Sequence, residues 1–132
     1  MAVTHIADIC CRFVANGNEK ADETILFLNN LFDPLEVWDP VLTHFDSDRF
    51  RFIRLDYRGQ WYTESGEAQL SFNRQTTDIS ILLKSLHSGP VHLVGQGLGA
   101  EIAMWFAIRF PSQVKSLSLL SAVAALEGTQ YQ

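Results

Sequence analysis

The segment Val91-His92-Leu93-Val94-Gly95-Gln96-Gly97-Leu98-Gly99 constrains the fold more than any other stretch of the 132 residues. A short apolar run passes through glycines at positions 95, 97 and 99 and then into an apolar segment that runs to Ile108. Glycine tolerates sharp reversals and close backbone approach, so the pattern predicts a buried strand, a tight turn and a helix. Side chains at 95 and 99 would collide with the neighbouring helix and strand when the apex is thrust out of the sheet. The apex itself, Gly97, carries no side chain and cannot be a nucleophile.

The flanking segments repeat the alternation of strand and helix. Ile6 to Ala15 ends at Asn16-Gly17-Asn18, a turn signal suited to a hairpin or a strand end. Thr24 to Leu28 is short and largely apolar, as a strand buried on both faces of a parallel sheet would be. Leu35, Trp38, Leu42 and Phe45 share one face of an expected short amphipathic helix. Phe50 to Leu55 is a second strand that breaks at Asp56-Tyr57-Arg58-Gly59, and the chain to about Phe72 is an expected loop. Thr77 to Leu86 has helical periodicity and stops at Ser88-Gly89-Pro90, while Pro111 closes the helix after Gly99 and Val114 to Leu120 supplies a last strand. The alternation gives an α/β class: one domain over residues 1–132, with a mostly parallel sheet wrapped by helices on both faces.

Charge and composition narrow the partners. A formal charge of -5 without a basic run argues against nucleic acid and anionic membrane, since both are polyanions that require clustered Lys and Arg. The N-terminus lacks the basic start of a signal peptide, and the weakly polar run from Ser116 to Leu126 is far shorter than the roughly 20 residues of a membrane span, so a cytoplasmic protein is expected. Cys10 and Cys11 are adjacent and point to opposite faces of a strand, which suits reduced packing residues. The histidines at 5, 44, 87 and 92 form no ligand cluster, so neither a metal nor another cofactor is expected.

The strand ending in Gly-x-x-x-Gly before a helix resembles the nucleophile elbow of the α/β-hydrolase superfamily, in which serine normally occupies the position of Gly97. The resemblance runs from Leu26 to about Ser121. Phe27-Leu28-Asn29-Asn30-Leu31 is similar to the family's strand ending in His-Gly, Trp38-Asp39-Pro40 to a tryptophan segment that follows it, and Asp56-Tyr57-Arg58-Gly59 to its Asp-x-Arg-Gly turn. Arg109 to Val114 is similar to the proline-containing end of the helix after the elbow. Asn29-Asn30 also resembles the Asn-Ser of the enol-lactone hydrolases, which remain active, and Asn30 suits a left-handed backbone. A glycine apex occurs in the N-myc downstream-regulated proteins, which the elbow resembles locally.

The resemblance implies that the backbone NH groups of Leu31 and Leu98 stand where the family's oxyanion-hole donors lie, around a pocket that includes Asn29, Asn30, Trp61 and Gln96. It also implies that the acid, the histidine, the cap and the final strands belong to later sequence. The expected function is therefore that of a partial, catalytically deficient α/β-hydrolase-fold protein retaining a small-molecule or partner-binding role. One alternative is a fragment or inactivated form of an ester- or lactone-cleaving hydrolase. Gly95-x-Gly97-x-x-Ala100 also fits a relaxed dinucleotide fingerprint, giving a nucleotide-binding module as another, although Ser121-Ala122-Val123 stands where the ribose-binding acid is required. Asp56 and Arg58 are expected to brace a loop through hydrogen bonds and charge pairing. The strand Ser116-Leu120 is an expected sheet edge, open to a second copy or a complementing chain.

Overall fold

The computed structural model describes residues 2–67 and 70–122. Six strands form one sheet, in which the first strand of the chain is followed by the second, fourth, third, fifth and sixth. β1 (Ala2–Ile6) and β2 (Ile9–Gly17) make an antiparallel hairpin, and β2 also runs antiparallel to β4 (Phe50–Leu55). β3 (Glu23–Leu28) lies parallel between β4 and β5 (Val91–Gln96), and β6 (Val114–Leu120) adds parallel to β5. The hairpin turn falls at Ala7-Asp8, with Ala7 at φ 53°. Asn16-Gly17-Asn18 ends β2 instead, and there the contact is tight: a Cβ on Gly17 would lie 2.4 Å from the Phe50 carbonyl oxygen.

Two long helices cover one face. α2 (Phe72–Ser85) and α3 (Leu98–Arg109) set Ile79, Leu82, Leu83, Ile102, Ala103 and Phe106 against Leu26, Leu28, Ile53, Leu55 and Leu93. Burying each such side chain contributes about 1.5–3 kcal/mol, which makes this layer the main core. α2 starts five residues before the expected Thr77, because Ser71 caps it: the Ser71 hydroxyl accepts a hydrogen bond from the Arg74 NH at 3.0 Å.

The opposite face has a thinner cover. The expected helix over Leu35 to Phe45 is a 3-10 turn at Leu35–Trp38 followed by one α turn, α1 (Asp39–Leu42). Pro40 has no NH to offer the Glu36 carbonyl, which accepts from Asp39 instead, so an α-helix begun at Leu35 cannot continue. The periodicity nevertheless aims the right residues inward, with Trp38 packed on Ile25, Phe27 and Phe52 and with Leu42 and Phe45 at the margin. The Trp38 and Phe27 rings lie 5.1 Å apart.

β6 is the outermost strand on its side among the described residues, and Leu117 and Leu120 are exposed along it. No helix among the described residues is long and apolar enough to cross a membrane.

Candidate functional site

The elbow is built as its glycines require. A Cβ on Gly95 would meet the Gly99 carbonyl oxygen at 2.5 Å and Ala100 Cα at 2.7 Å. A Cβ on Gly99 would meet the Leu28 and Asn29 carbonyl oxygens at 2.1 and 2.6 Å. β5, β3 and the start of α3 are thus in backbone contact. Gly97, at φ 59° and ψ -122°, donates its NH to the Leu120 carbonyl at 2.9 Å and caps α3.

The space beside the apex is occupied. Asn30 Oδ1 accepts the Leu31 NH at 2.8 Å and the Leu98 NH at 3.0 Å. A Cβ on Gly97 would lie 2.4 Å from that oxygen, 2.5 Å from Asn30 Cγ and 2.9 Å from Nδ2. Two backbone donors from different elements therefore converge on one carbonyl-type oxygen, supplied by the chain itself. The bare apex and the Asn30 carboxamide are sterically matched.

The neighbouring loops hold this arrangement in place. Asn29 is fully buried; its carbonyl accepts the Tyr57 hydroxyl at 2.7 Å and its Nδ2 donates to the Asp33 carbonyl, so it braces the turn. Burial pushes the Tyr57 phenol well above its ordinary pKa and keeps it a donor. The left-handed residue of the turn is Phe32 at φ 65°, not Asn30. Phe32 donates its NH to Gln60 Oε1 at 3.0 Å, and its carbonyl accepts Trp61 Nε1 at 2.7 Å. Trp61, 58% exposed, clamps one loop to the other.

Buried ion pairs fix the Asp56–Gly59 turn from below. Asp56 Oδ2 accepts from Arg12 at 3.1 Å and its Oδ1 from the Leu35 NH at 2.9 Å. Arg58, with its side chain fully buried, bonds both Asp78 oxygens at 2.9 and 3.0 Å and Asp8 at 2.9 Å. The Arg58 guanidinium lowers the Asp8 carboxyl to about 2. These residues are structural, since every charge is spent on a neighbour. Cys11 is equally inert, because burial pushes its thiol up to about 12.

A cleft of about 250 Å³ opens next to the donor pair. Its apolar walls are Leu31, Leu70, Phe72, Leu98 and Ile102, and its polar groups are Gln60, Ser71 and Gln75. It lies at the carboxyl ends of β3 and β5, where open α/β sheets bind ligands. Leu31 and Leu98, expected as oxyanion-hole donors, stand in its walls, while Asn30, expected to line the pocket, is not among the walls and accepts both of their NH groups. Asn29, Trp61 and Gln96 are not among its walls; Gln96 is exposed beside Leu120. Leu70, Ser71, Phe72 and Gln75 were missed because the helix was expected to start later, although Ser71 three residues before Arg74 was a legible cap.

No histidine lines the cleft among the described residues. His92 stands five residues before the apex, about 16 Å away at the strand rise, between Ser116 Oγ at 2.6 Å and Glu23 Oε2 at 2.5 Å. Its polar partners explain how a strand histidine is accommodated.

A family model described as alpha/beta hydrolase fold matches residues 23–131. The chain is 31% identical over 121 residues to 2-(acetamidomethylene)succinate hydrolase of Mesorhizobium japonicum, covering 91% of this chain and 41% of that protein. It is 28% identical over 127 residues to the probable lysophospholipase BODYGUARD 1 of Arabidopsis thaliana, covering 86% and 27%. Among solved structures, an epoxide hydrolase from Vigna radiata superposes with a TM-score of 0.83 at 24% identity, over 92% of this chain and 38% of that one. The chain thus spans less than half the length of these proteins.

Proposed function

Since the chain belongs to the α/β-hydrolase family, we propose that it offers a small-molecule pocket at the carboxyl ends of β3 and β5 and performs no nucleophilic catalysis at its elbow. One observation carries this reading: the apex is Gly97, and the volume that its side chain would need is filled by the Asn30 carboxamide. Acyl transfer in such a site requires a hydroxyl nucleophile with a base beside it. Ser71, the hydroxyl in the cleft wall, already accepts the Arg74 NH as a helix cap.

An ester and lactone panel tests the proposal. The unaltered chain is expected to show no turnover; hydrolysis abolished by a cleft-filling Leu31→Trp substitution would overturn it.

A second reading is that the chain is part of an ester- or lactone-cleaving hydrolase whose base and acid lie in further sequence. It is favoured by the 31% identity to a relative named as a hydrolase, of which the chain covers 41%. Gly97→Ser combined with Asn30→Gly, supplied with a family-like C-terminal half, discriminates the two. Turnover restored only in that combination supports the second reading, and none under any combination counts against it.

A further inference from the structure

Near its amino end, β5 meets an irregular stretch of β6. Val91 pairs with Val114 but His92 pairs with Ser116, so the register slips by one residue and Lys115 is the extra one. On a regular strand Lys115 and Ser116 would face opposite sides of the sheet. Here both side chains reach the Glu23 and His92 pair, at the opposite ends of the strands from the elbow. The donors and acceptors follow from this geometry. The hydrogen bond from His92, and then that from Lys115, lowers the Glu23 pKa and keeps the carboxylate ionised. It can only accept, so His92 Nε2 carries the proton and donates to Glu23 Oε2 at 2.5 Å. Nδ1 of the neutral ring then presents a lone pair, and the Ser116 hydroxyl donates to it at 2.6 Å.

We propose that Ser116 is a reactive site apart from the elbow, a hydroxyl that takes the acyl group of a small acyl phosphate, with His92 as base and Glu23 positioning the ring. A hydroxyl beside a base that a third group orients is the arrangement that activates a weak nucleophile. Ser116 is exposed on the outermost described strand of its side, so a donor can reach it. Lys115 selects the donor. Two of its three hydrogens go to Glu23 Oε2 and the Asp22 carbonyl, both at 3.2 Å, which leaves one for an anionic leaving group.

In the step, Ser116 Oγ bonds to the acyl carbon, the bond from that carbon to the bridging phosphate oxygen breaks, and inorganic phosphate leaves. The hydroxyl proton passes to His92 Nδ1 and from there to the departing phosphate. The Glu23 carboxylate stabilises the imidazolium formed in between. Nothing is oxidised or reduced.

The experiment treats the full chain with acetyl phosphate, follows phosphate release and maps acetyl groups by peptide mass spectrometry. Ser118 is the internal control, since it lies on the same face of β6 but opposite Val94 instead of an imidazole. Ser116 should acetylate at least about a hundredfold faster than Ser118, and His92→Gln should remove both that advantage and the inflection of the base in the pH–rate profile. Glu23→Gln, whose amide oxygen can still accept from Nε2, should slow Ser116 by about tenfold or more and displace the inflection. Ser116→Ala, at an exposed position, should abolish the fast phase of phosphate release. With p-nitrophenyl acetate, whose leaving group carries no phosphate, the preference for Ser116 should shrink. Equal rates at Ser116 and Ser118, fast labelling that survives His92→Gln, or acetylation of Lys115 ahead of Ser116 would overturn the proposal. An undiminished preference with p-nitrophenyl acetate would overturn the acyl phosphate as the donor.

Discussion

The steric match between Gly97 and Asn30 can be measured as a coupling energy. In Gly97→Ala the new methyl carbon must sit 2.4–2.9 Å from three atoms of the Asn30 carboxamide, so that side chain has to leave. The substitution then carries two costs. Holding alanine at φ 59° and ψ -122°, outside the left-handed helical well, costs about 1–3 kcal/mol, and losing the two hydrogen bonds from Leu31 and Leu98 costs about 1 kcal/mol each. The expected loss is about 3–5 kcal/mol for Gly97→Ala and about 2 kcal/mol for Asn30→Ala. In the double variant the hydrogen bonds are lost only once, so its loss should equal that of Gly97→Ala alone. The cycle should therefore show coupling of about 2 kcal/mol, where independent sites add to within about 0.5 kcal/mol. Urea unfolding followed by tryptophan fluorescence supplies the energies. Gly89→Ala serves as a positive-φ control without a steric neighbour, since Gly89 has φ 65° and nothing within 4 Å of its would-be Cβ. Additive single-variant losses would refute the claim that the carboxamide and the bare apex fill the same space.

Gly99→Ala should also be costly, about 3 kcal/mol or more, because its Cβ meets backbone oxygens at 2.1 and 2.6 Å that cannot rotate away; a loss below about 1 kcal/mol in urea unfolding would contradict the packing of α3 on β3. Pairing with Arg58 depresses Asp8 from 3.8 to about 2, so its contribution is present above the unfolded value and is lost as pH falls from about 4 towards about 2. Asp8→Asn should flatten the pH dependence of the unfolding midpoint across that window, and equal acid sensitivity in both chains would show that the pair is not formed. The exposed strand edge at β6 should support association, with a concentration-dependent mass in light scattering that Ser118→Lys reduces. A stable monomer at high concentration would rule this association out.

Much of the scaffold could be read locally. Glycines 95, 97 and 99 gave the turn, and β6 follows the run from Val114 to Leu120 as expected. The inward face of Leu35, Trp38, Leu42 and Phe45 was correct although the helix was not, because periodicity reports which side is apolar while Pro40 decides the hydrogen-bond pattern. The elbow donors were legible for a related reason: strand, turn and helix place a backbone NH without help from side chains. The walls of the cleft were less so, since Gln60, Leu70, Phe72 and Gln75 meet Leu31, Leu98 and Ile102 only in the folded chain.

The sequence by itself determined the α/β order, the bare apex and the absence of a histidine in the elbow. Each of these is a matter of residue identity or of contacts between near neighbours in the chain. Only the tertiary structure decided what occupies the elbow. Asn30 and Leu98 are 68 positions apart, and Arg58 and Asp8 are 50 apart. No local pattern encodes such a meeting; it follows from the parallel pairing of β3 with β5 and from the hairpin folding beneath the Asp56–Gly59 turn. Asparagine at position 30 looked like a substitution in a turn. Folding makes its carboxamide the group that fills the volume beside Gly97 and takes both donors.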